Sequence, residues 1–297
     1  MSNKMNIIET DHLSKYYGRS KGIEDINLGV KQGDIFGFIG PNGAGKSTTI
    51  RILLNLIFPS KGSARIFGLD VVRDSKQIHN EIGYIPSDAN LYDKMSVIEF
   101  LRYCAGFYQK KDRYDRIHEL SGLFGLDLKR NITELSMGNR KKVSIIQALI
   151  HSPKLLILDE PTTGLDPLIQ SRFFELLRNE NKNGTTIFFS SHVLSDVQAI
   201  CRTIAVVREG KIVNIEDVAA LRQKQLKKVR IGFTHDIRAE DFILKGVASA
   251  EIIDGSTLSF LFSGDIKELI RRLSALEVKH LTIEESSIEE IFLHYYN

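Results

Sequence analysis

The chain has 297 residues, of which 42% are hydrophobic and 26% are charged, a balance typical of a globular protein with a full hydrophobic core. Its formal net charge of +3 is too small to indicate a nucleic-acid partner, and its two cysteines argue against a disulfide framework or a zinc site. No apolar run approaches the roughly 20 residues of a membrane span, and the first residues lack the apolar region of a secretion signal.

The first chemical motif lies in the stretch "GDIFGFIGPNGAGKSTTIRILL", which predicts a buried strand, a glycine-rich turn and a helix. Glycines allow backbone N–H groups to approach phosphate oxygens, and a helix starting near Lys46 adds the positive end of its dipole. We expect Lys46 to neutralise the β- and γ-phosphates of a nucleotide and Ser47 to ligate Mg²⁺. The residues predicted to contact the nucleotide here are Gly40, Pro41, Asn42, Gly43, Ala44, Gly45, Lys46, Ser47 and Thr48.

Two helix starts follow along the chain. Ser96 and Glu99 have the spacing of a capping box and predict a helix whose apolar stripe is mostly core. That stripe consists of Val97, Ile98, Phe100, Leu101, Cys104 and Phe107. Further on, "LSMGNRKK" at 135–142 combines a serine, a glycine and basic residues before an apolar-periodic segment, which predicts a helix N-terminus suited to an anion.

Two acidic residues end the next apolar segment, in "KLLILDEPTTGLDP". Asp159, at the carboxyl end of the predicted strand, suits Mg²⁺. Because side chains alternate along a strand, Glu160 is expected to point away from Asp159, where it would polarise an attacking water. A GTPase would require an Asn-Lys-x-Asp guanine selector, but the nearest string, "NKNG", lacks the Asp and is predicted to end a helix at Gly184.

A third buried strand is predicted over Thr186 to Phe189, with His192 where the chain leaves it. Ligands bind at the carboxyl ends of parallel strands, so His192 is a candidate functional residue. A hairpin is predicted to turn at Glu209 and Gly210.

The pattern changes near Asp217. The stretches "LKKVRIGFT" and "STLSFLFS" predict strands, "DIKELIRRLSAL" predicts an amphipathic helix, and "VKHLTIEE" predicts another strand. A last helix is predicted to be capped near Ser286 or Ser287, with the apolar stripe Ile288, Ile291, Phe292 and Tyr295. These elements predict a small α+β domain, to which we assign a regulatory or dimer-stabilising role.

Over residues 5 to 215 these motifs, in this order, resemble the nucleotide-binding subunit of an ABC transporter. "GPNGAGKST" is similar to the Walker A loop, "LLILDE" to the Walker B strand with its catalytic glutamate, "GLD" ending at Asp166 to the D-loop, and "SSH" ending at His192 to the H-loop. The resemblance implies an α/β fold of the P-loop NTPase class, with a RecA-like core, an antiparallel β-subdomain and a helical subdomain. We expect the ATPase domain at 1–216, with the helical subdomain at about 88–155, and the α+β domain at 217–297.

The resemblance also assigns residues around the nucleotide. Tyr17 falls where the family stacks an aromatic ring on adenine, with Tyr16 as the alternative if the register shifts by one. The loop after "IGYIP" has Ser87 where the family has a glutamine. Serine is shorter, so a water would bridge it to the metal site, or Asp88 would substitute for it.

The stretch "LSMGN" stands in place of the family signature Leu-Ser-Gly-Gly-Gln. Ser136 and Gly138 retain the donors that meet a γ-phosphate, while Met137 and Asn139 differ from the pattern. A positive φ at Met137 would be unfavourable by about 1 kcal/mol. In the family this signature completes the nucleotide site of a second subunit, which implies a homodimer or a heterodimer with a related chain.

The whole resemblance implies an ATPase subunit of an exporter. It would bind ATP and Mg²⁺ and act with a polytopic membrane permease, at the cytoplasmic face of the plasma membrane and without nucleic acid. Tyr92, Met95 and Tyr108 are candidates for the permease-facing surface. The closing stretch "LTIEESSIEEIFLHYY" is similar to the tail of type-2 exporters of drugs, antibiotics, lipids or peptides. The alternatives are a soluble ABC ATPase acting on ribosomes or nucleic acid, and a nonhydrolysing ATP sensor, against which Glu160 and His192 argue.

Overall fold

The computed structural model describes residues 5–109, 113–223, 227–238, 242 and 244–285. The chain divides into two compact units, Met1–Glu216 and Asp217–Asn297. Within the described residues, no helix has both the length and the apolar character needed to cross a bilayer.

The first unit contains ten strands, seven helices and a short 3-10 turn at Ile132–Glu134 among its described residues. The strands are β1 (Asn6–Tyr17), β2 (Ser20–Lys31), β3 (Ile35–Ile39), β4 (Lys61–Ile66), β5 (Leu69–Asp70), β6 (Ile82–Ile85), β7 (Leu155–Asp159), β8 (Thr186–Ser191), β9 (Thr203–Arg208) and β10 (Lys211–Asp217). The helices are α1 (Lys46–Leu53), α2 (Ser75–His79), α3 (Val97–Ala105), α4 (Arg113–Phe124), α5 (Met137–Leu149), α6 (Pro167–Lys182) and α7 (Leu194–Ile200).

A six-stranded sheet in the order β10-β9-β3-β8-β7-β6 forms the centre of this unit. Strands β9, β3, β8, β7 and β6 are parallel to one another, and every residue of β3, β7 and β8 is buried, as the apolar runs predict. Parallel strands bring their carboxyl ends to one edge, so the segments that follow β3, β7 and β8 leave the sheet side by side. The predicted hairpin turn is confirmed, with Glu209 and Gly210 both at positive φ.

An antiparallel sheet in the order β2-β1-β4-β5 is the second layer. A hydrophobic cluster joins it to one face of the central sheet through α1, whose Ile50, Ile52 and Leu53 are buried. The other face of the central sheet receives α6 and α7. Helix α1 is thereby held between two layers, which fixes the loop that precedes it.

Helices α3, α4 and α5 lie between β6 and β7 in the chain. The predicted capping box is confirmed, since the Ser96 hydroxyl accepts from the Glu99 N–H and the Glu99 carboxylate accepts from the Ser96 N–H. Cys104 is buried as predicted. Phe107 is not part of the core: it lies beyond the end of α3 and is 66% exposed.

The described elements of the second unit are α8 (Val218–Gln223), β11 (Lys227–Phe233), β12 (Val247–Ile252), β13 (Thr257–Phe262), α9 (Ile266–Leu273) and β14 (Val278–Glu285). Its four strands form an antiparallel sheet in the order β12-β13-β11-β14. The sheet packs its apolar side chains with Leu269 and Leu273 of α9, as the amphipathic pattern predicts. Strand β12 was not predicted. The helix expected after Ser286 or Ser287, with Ile288, Ile291, Phe292 and Tyr295, lies outside the described residues.

Candidate functional site

The glycine-rich loop from Gly40 to Gly45 connects β3 to α1. Gly43 and Gly45 have φ values of 80° and 105°, which only glycine adopts without strain. Gly40 is needed for a different reason, because a Cβ there would lie 2.2 Å from the carbonyl oxygen of Val207. Helix α1 begins at Lys46, as predicted, so its first N–H groups face the loop.

Lys46 is buried and makes three polar contacts within the chain. Its Nζ donates to the carbonyl oxygens of Gly40 at 2.7 Å and Pro41 at 3.2 Å. Its third contact is an ion pair with Glu160, with Nζ and Oε1 separated by 3.3 Å. A nucleotide phosphate that binds Lys46 must therefore compete with a carboxylate of the same chain.

Glu160 has a left-handed backbone with φ 48°, directly after β7 ends at Asp159. We expected Asp159 and Glu160 to point in different directions because side chains alternate along a strand. That explanation is wrong, because Glu160 lies outside the strand. A non-glycine residue in this conformation costs about 1–3 kcal/mol and persists only where its surroundings determine it. The Glu160 N–H is held by the carbonyl oxygen of Ser190 at 3.0 Å.

His192 follows β8 and completes a chain of three side chains. Its Nδ1 lies 2.8 Å from Oε2 of Glu160, and its side chain is 44% exposed. An ionised carboxylate only accepts hydrogen bonds, so the ring donates through Nδ1 and its Nε2 remains available to a ligand. Glu160 thus contacts both Lys46 and His192, three residues that were predicted from separate motifs.

Asp159 has the features of a metal ligand. It is buried, and its Oδ1 has no hydrogen-bond partner among the described residues. Burial raises the pKa of Asp159, and the Glu160 charge adds to this rise, while the nearby hydroxyls of Ser47 and Ser190 oppose it. An unsatisfied buried carboxylate oxygen next to Ser47 fits Mg²⁺, which binds oxygen ligands and usually keeps several waters.

Tyr17 lies beside the glycine-rich loop, and Nζ of Lys15 lies over its ring, 5.4 Å from the centroid. A Cβ on Gly22 would lie 2.8 Å from Cε2 of Tyr17 and 3.3 Å from Cγ2 of Thr48, so Gly22 lets the ring approach the start of α1. Tyr17 is 47% exposed. Tyr16, the alternative, is half-buried and donates its hydroxyl to Glu24 at 3.0 Å. Of the two rings, that of Tyr17 is the one left open to a base.

A cavity of about 330 Å³ is lined by Lys46 and Glu160, whereas Tyr17, Asp159 and His192 are not among its lining residues in the described part of the chain. The glycine-rich loop and the first residues of α1 form its floor, and Ser87 and Glu160 form one side. Lys21 and Gly22, which the sequence motifs did not indicate, also line it. Lys21 belongs to no local pattern, so only the pairing of β1 with β2 brings it here.

The signature stretch begins a helix, as predicted. Ser136 is the N-cap of α5, and its Oγ accepts from the Asn139 N–H at 3.4 Å. The φ of Met137 is not positive, so this substitution introduces no backbone strain. The Met137 side chain is 67% exposed and lies against Gly164, where a Cβ would be 2.7 Å from its Cε.

Three further residues predicted to bind nucleotide do not line the cavity of their own chain. Ser136 is exposed and Gly138 is half-buried next to the carbonyl oxygen of Gly164. The carboxylate of Asp166 caps α6 by accepting from the Ile169 N–H at 3.0 Å. None of these three residues is among those lining the cavity in the described part of the chain.

Lys141 is a further buried cation that the motifs did not single out. Its Nζ donates to the carbonyl oxygens of Pro86, Ser87 and Glu160. Burial lowers its pKa to about 8, and the carboxylates of Asp159, Asp88 and Glu160 oppose this shift. The only sequence signal was its place as the second basic residue of "RKK" after the signature.

Comparison with known proteins identifies relatives along nearly the whole chain. The family model described as ABC transporter matches residues 23–163. The bacitracin transport ATP-binding protein BcrA of Bacillus licheniformis is 33% identical over 295 residues, covering 97% of this chain and 96% of that protein. BcrA of Enterococcus faecalis is 30% identical over 293 residues, covering 96% and 95%. A solved structure of an ATP-binding subunit of an ABC transporter is 30% identical with a TM-score of 0.69, covering 73% of this chain and 92% of that one.

Proposed function

This chain belongs to the ABC transporter family as an ATP-binding subunit with the P-loop ATPase fold, and we propose that it hydrolyses ATP to drive export through a separate membrane-spanning permease. The observation that carries the proposal is the contact chain from Lys46 through Glu160 to His192, at the mouth of the glycine-rich loop. This contact chain brings an ammonium group, a carboxylate and an imidazole together beside the loop that is predicted to bind phosphate.

Binding begins with the base and the phosphates. The open ring of Tyr17 stacks on adenine, and the N–H groups from Gly40 to Thr48 cradle the phosphates. Lys46 transfers its ion pair from Glu160 to the β- and γ-phosphates. Ser47 and Asp159 would hold Mg²⁺, and the bound ion would supply positive charge to the phosphate oxygens.

Hydrolysis then depends on the Glu160 carboxylate, which Lys46 releases when it binds phosphate. Once the lysine pairs with phosphate, the Glu160 carboxylate is free to accept a proton from the attacking water. His192 keeps its contact with Glu160 and, with a proton on both ring nitrogens, donates through Nε2 to the γ-phosphate. The left-handed backbone of Glu160 fixes where its carboxylate stands, because phosphoryl transfer is accelerated mainly by positioning and charge stabilisation.

A second ATPase subunit supplies the remaining donors. Ser136 and Gly138 lie outside the cavity of their own chain and are accessible at the start of α5. Asp166 and Gly164 lie beside them on the chain segment that follows the Walker B strand. We propose a head-to-tail dimer in which this surface covers the nucleotide of the other subunit, which is either a second copy or a related chain.

The permease is proposed to dock on the helical region. Tyr92, Tyr103 and Phe107 are 57%, 46% and 66% exposed, and the ring of Tyr103 contacts each of the other two edge to face. They line a cavity of about 310 Å³ together with Tyr108, which stacks on His151 at 3.8 Å. An exposed aromatic cluster of this kind is typical of a protein interface. Met95, also predicted for this surface, is half-buried and does not line this cavity.

The class of cargo follows from the relatives. BcrA is named for bacitracin transport, and its similarity extends through the second unit of this chain. We therefore propose a peptide antibiotic or a related amphipathic compound as cargo, and attachment to the inner face of the plasma membrane through the permease. A role on ribosomes or nucleic acid is not favoured, because the full-length relatives are transport proteins.

Affinity purification from detergent-solubilised membranes tests the proposal. The wild-type chain should co-purify with a polytopic membrane protein, and enrichment of ribosomes or DNA instead would contradict the transport role. Lys46→Ala should lose nucleotide binding in the same preparation while still recovering the membrane partner. Unchanged affinity for ATP in that variant would overturn the assignment of the phosphate loop.

A further inference from the structure

Lys141 is a buried ammonium group that the proposed reaction does not use. It lies in the second turn of α5 and is 2% exposed. Its three protons are donated to three backbone carbonyl oxygens, those of Pro86 at 2.8 Å, Ser87 at 3.0 Å and Glu160 at 3.1 Å. A lysine has three donors, so its hydrogen-bonding capacity is fully used inside the protein.

All three acceptors belong to segments that form the nucleotide cavity. Pro86 and Ser87 begin the loop that leaves β6, and Glu160 follows the adjacent parallel strand β7. Both Ser87 and Glu160 line the cavity. Lys141 therefore connects two neighbouring site loops to a third element, the helix that starts at Ser136.

The contact with Glu160 is made at its strained peptide. Glu160 has a left-handed backbone, and its N–H is fixed by Ser190 from β8. Lys141 holds the carbonyl of the same residue, so the conformation is determined from both sides. An apolar residue of similar length would fill the same space without donating to any of the three carbonyls, so packing alone does not account for a buried cation here.

We propose that Lys141 is a positioning residue for ATP hydrolysis, which holds the Glu160 peptide and the Ser87 loop in fixed relation to the signature helix. This inference rests on the proposed function. Because Ser136 would act on the nucleotide of the other subunit, Lys141 also links the hydrolytic carboxylate of one site to the helix that completes the other. A shift of α5 is then transmitted to Glu160 of the same chain through one side chain.

The test compares Lys141→Met with Lys142→Met, a matched control on the neighbouring half-buried lysine. Without the three hydrogen bonds from Lys141, Glu160 is misplaced, so kcat for ATP hydrolysis should fall about 10- to 100-fold in Lys141→Met. The Kd for a nonhydrolysable ATP analogue should stay within about twofold of wild type. Lys142→Met should retain wild-type kcat. Lys141→Arg, which keeps a cation with several donors, should recover part of the lost rate.

A double variant shows whether Lys141 acts through Glu160. In single-turnover assays, Glu160→Gln with Lys141→Met should hydrolyse ATP no more slowly than Glu160→Gln alone, because the residue being positioned is already disabled. Wild-type kcat in Lys141→Met, or equal losses of kcat and affinity, would overturn the proposal. If Glu160→Gln itself retained full turnover, the proposed role of Glu160 would fail and this inference with it, whereas loss of turnover in Glu160→Gln together with wild-type kcat in Lys141→Met would overturn this inference alone. Should Lys141→Met not fold, Lys141→Gln, with two donors at shorter reach, is judged by the same criteria.

Discussion

Replacing Glu160 by glutamine should tighten nucleotide binding as well as stop turnover. The Glu160 carboxylate pairs with Lys46 at 3.3 Å, and both side chains are largely buried, with 13% and 6% exposed. The Glu160 carboxylate therefore competes with phosphate for the ammonium group of Lys46. Glu160→Gln removes this competing charge but keeps a side chain of the same size.

The size of the effect follows from the ion pair. At 3.3 Å and an effective dielectric constant of about 20, the Coulomb attraction is about 5 kcal/mol. Desolvation of the two buried groups offsets much of this attraction, and we take its net value as about 1.5–3 kcal/mol, the lower part of the range measured for close charge pairs. Releasing Lys46 should therefore lower the Kd for ATP by about 10- to 150-fold.

Fluorescence titration with a nonhydrolysable ATP analogue and Mg²⁺ measures this change without interference from turnover. The gain should be absent for AMP, which lacks the phosphates that Lys46 contacts. Glu175→Gln is the matched control, because it makes the same substitution at an exposed carboxylate that does not line the cavity. Equal affinity in Glu160→Gln and wild type, or an equal gain in Glu175→Gln, would refute the reasoning.

Three further outcomes are expected. Tyr17→Ala should weaken ATP binding by about 1–3 kcal/mol, as measured by the same titration, whereas Tyr16→Phe should leave it unchanged. Arg116→Met should lower the free energy of unfolding in urea by about 3–5 kcal/mol, because it leaves buried Glu180 without its ion-pair partner, and adding Glu180→Met should restore much of the loss. The pKa of Lys141 is lowered from 10.5 to about 8 in the folded chain. Between about pH 8 and pH 10.5 the unfolded chain therefore binds more protons than the folded chain. The free energy of unfolding of wild type, measured in urea, should increase relative to that of Lys141→Met as the pH rises from about 8 to about 10.

Much of the candidate site is encoded in short stretches of sequence. The conformation of the phosphate loop depends on Gly43 and Gly45 at positive φ and on a helix that begins at Lys46, and these are local properties. The capping box at Ser96 and the hairpin turn at Gly210 are local for the same reason. Such features are predictable because a few adjacent residues decide the backbone.

The parallel sheet could be anticipated only in part. Continuous apolar runs identified β3, β7 and β8, and the rule that parallel strands share one carboxyl edge placed Lys46, Asp159 and His192 near one another. The sequence did not indicate that Glu160 leaves its strand with a left-handed backbone. That conformation depends on partners from β8 and α5, which no local pattern contains.

Side-chain environments were decided by the tertiary structure alone. Phe107 fits the apolar period of α3 but lies beyond its last turn and faces outward. Lys141 looks like one member of a solvated basic run, yet it is buried because α5 packs against the end of β6, and its acceptor Ser87 is 54 residues away in the chain. The sequence alone determined which chemical groups the protein has and where its loops and helices begin. Which of those groups meet was decided by contacts between distant segments, since the burial of a charge depends on every element that surrounds it.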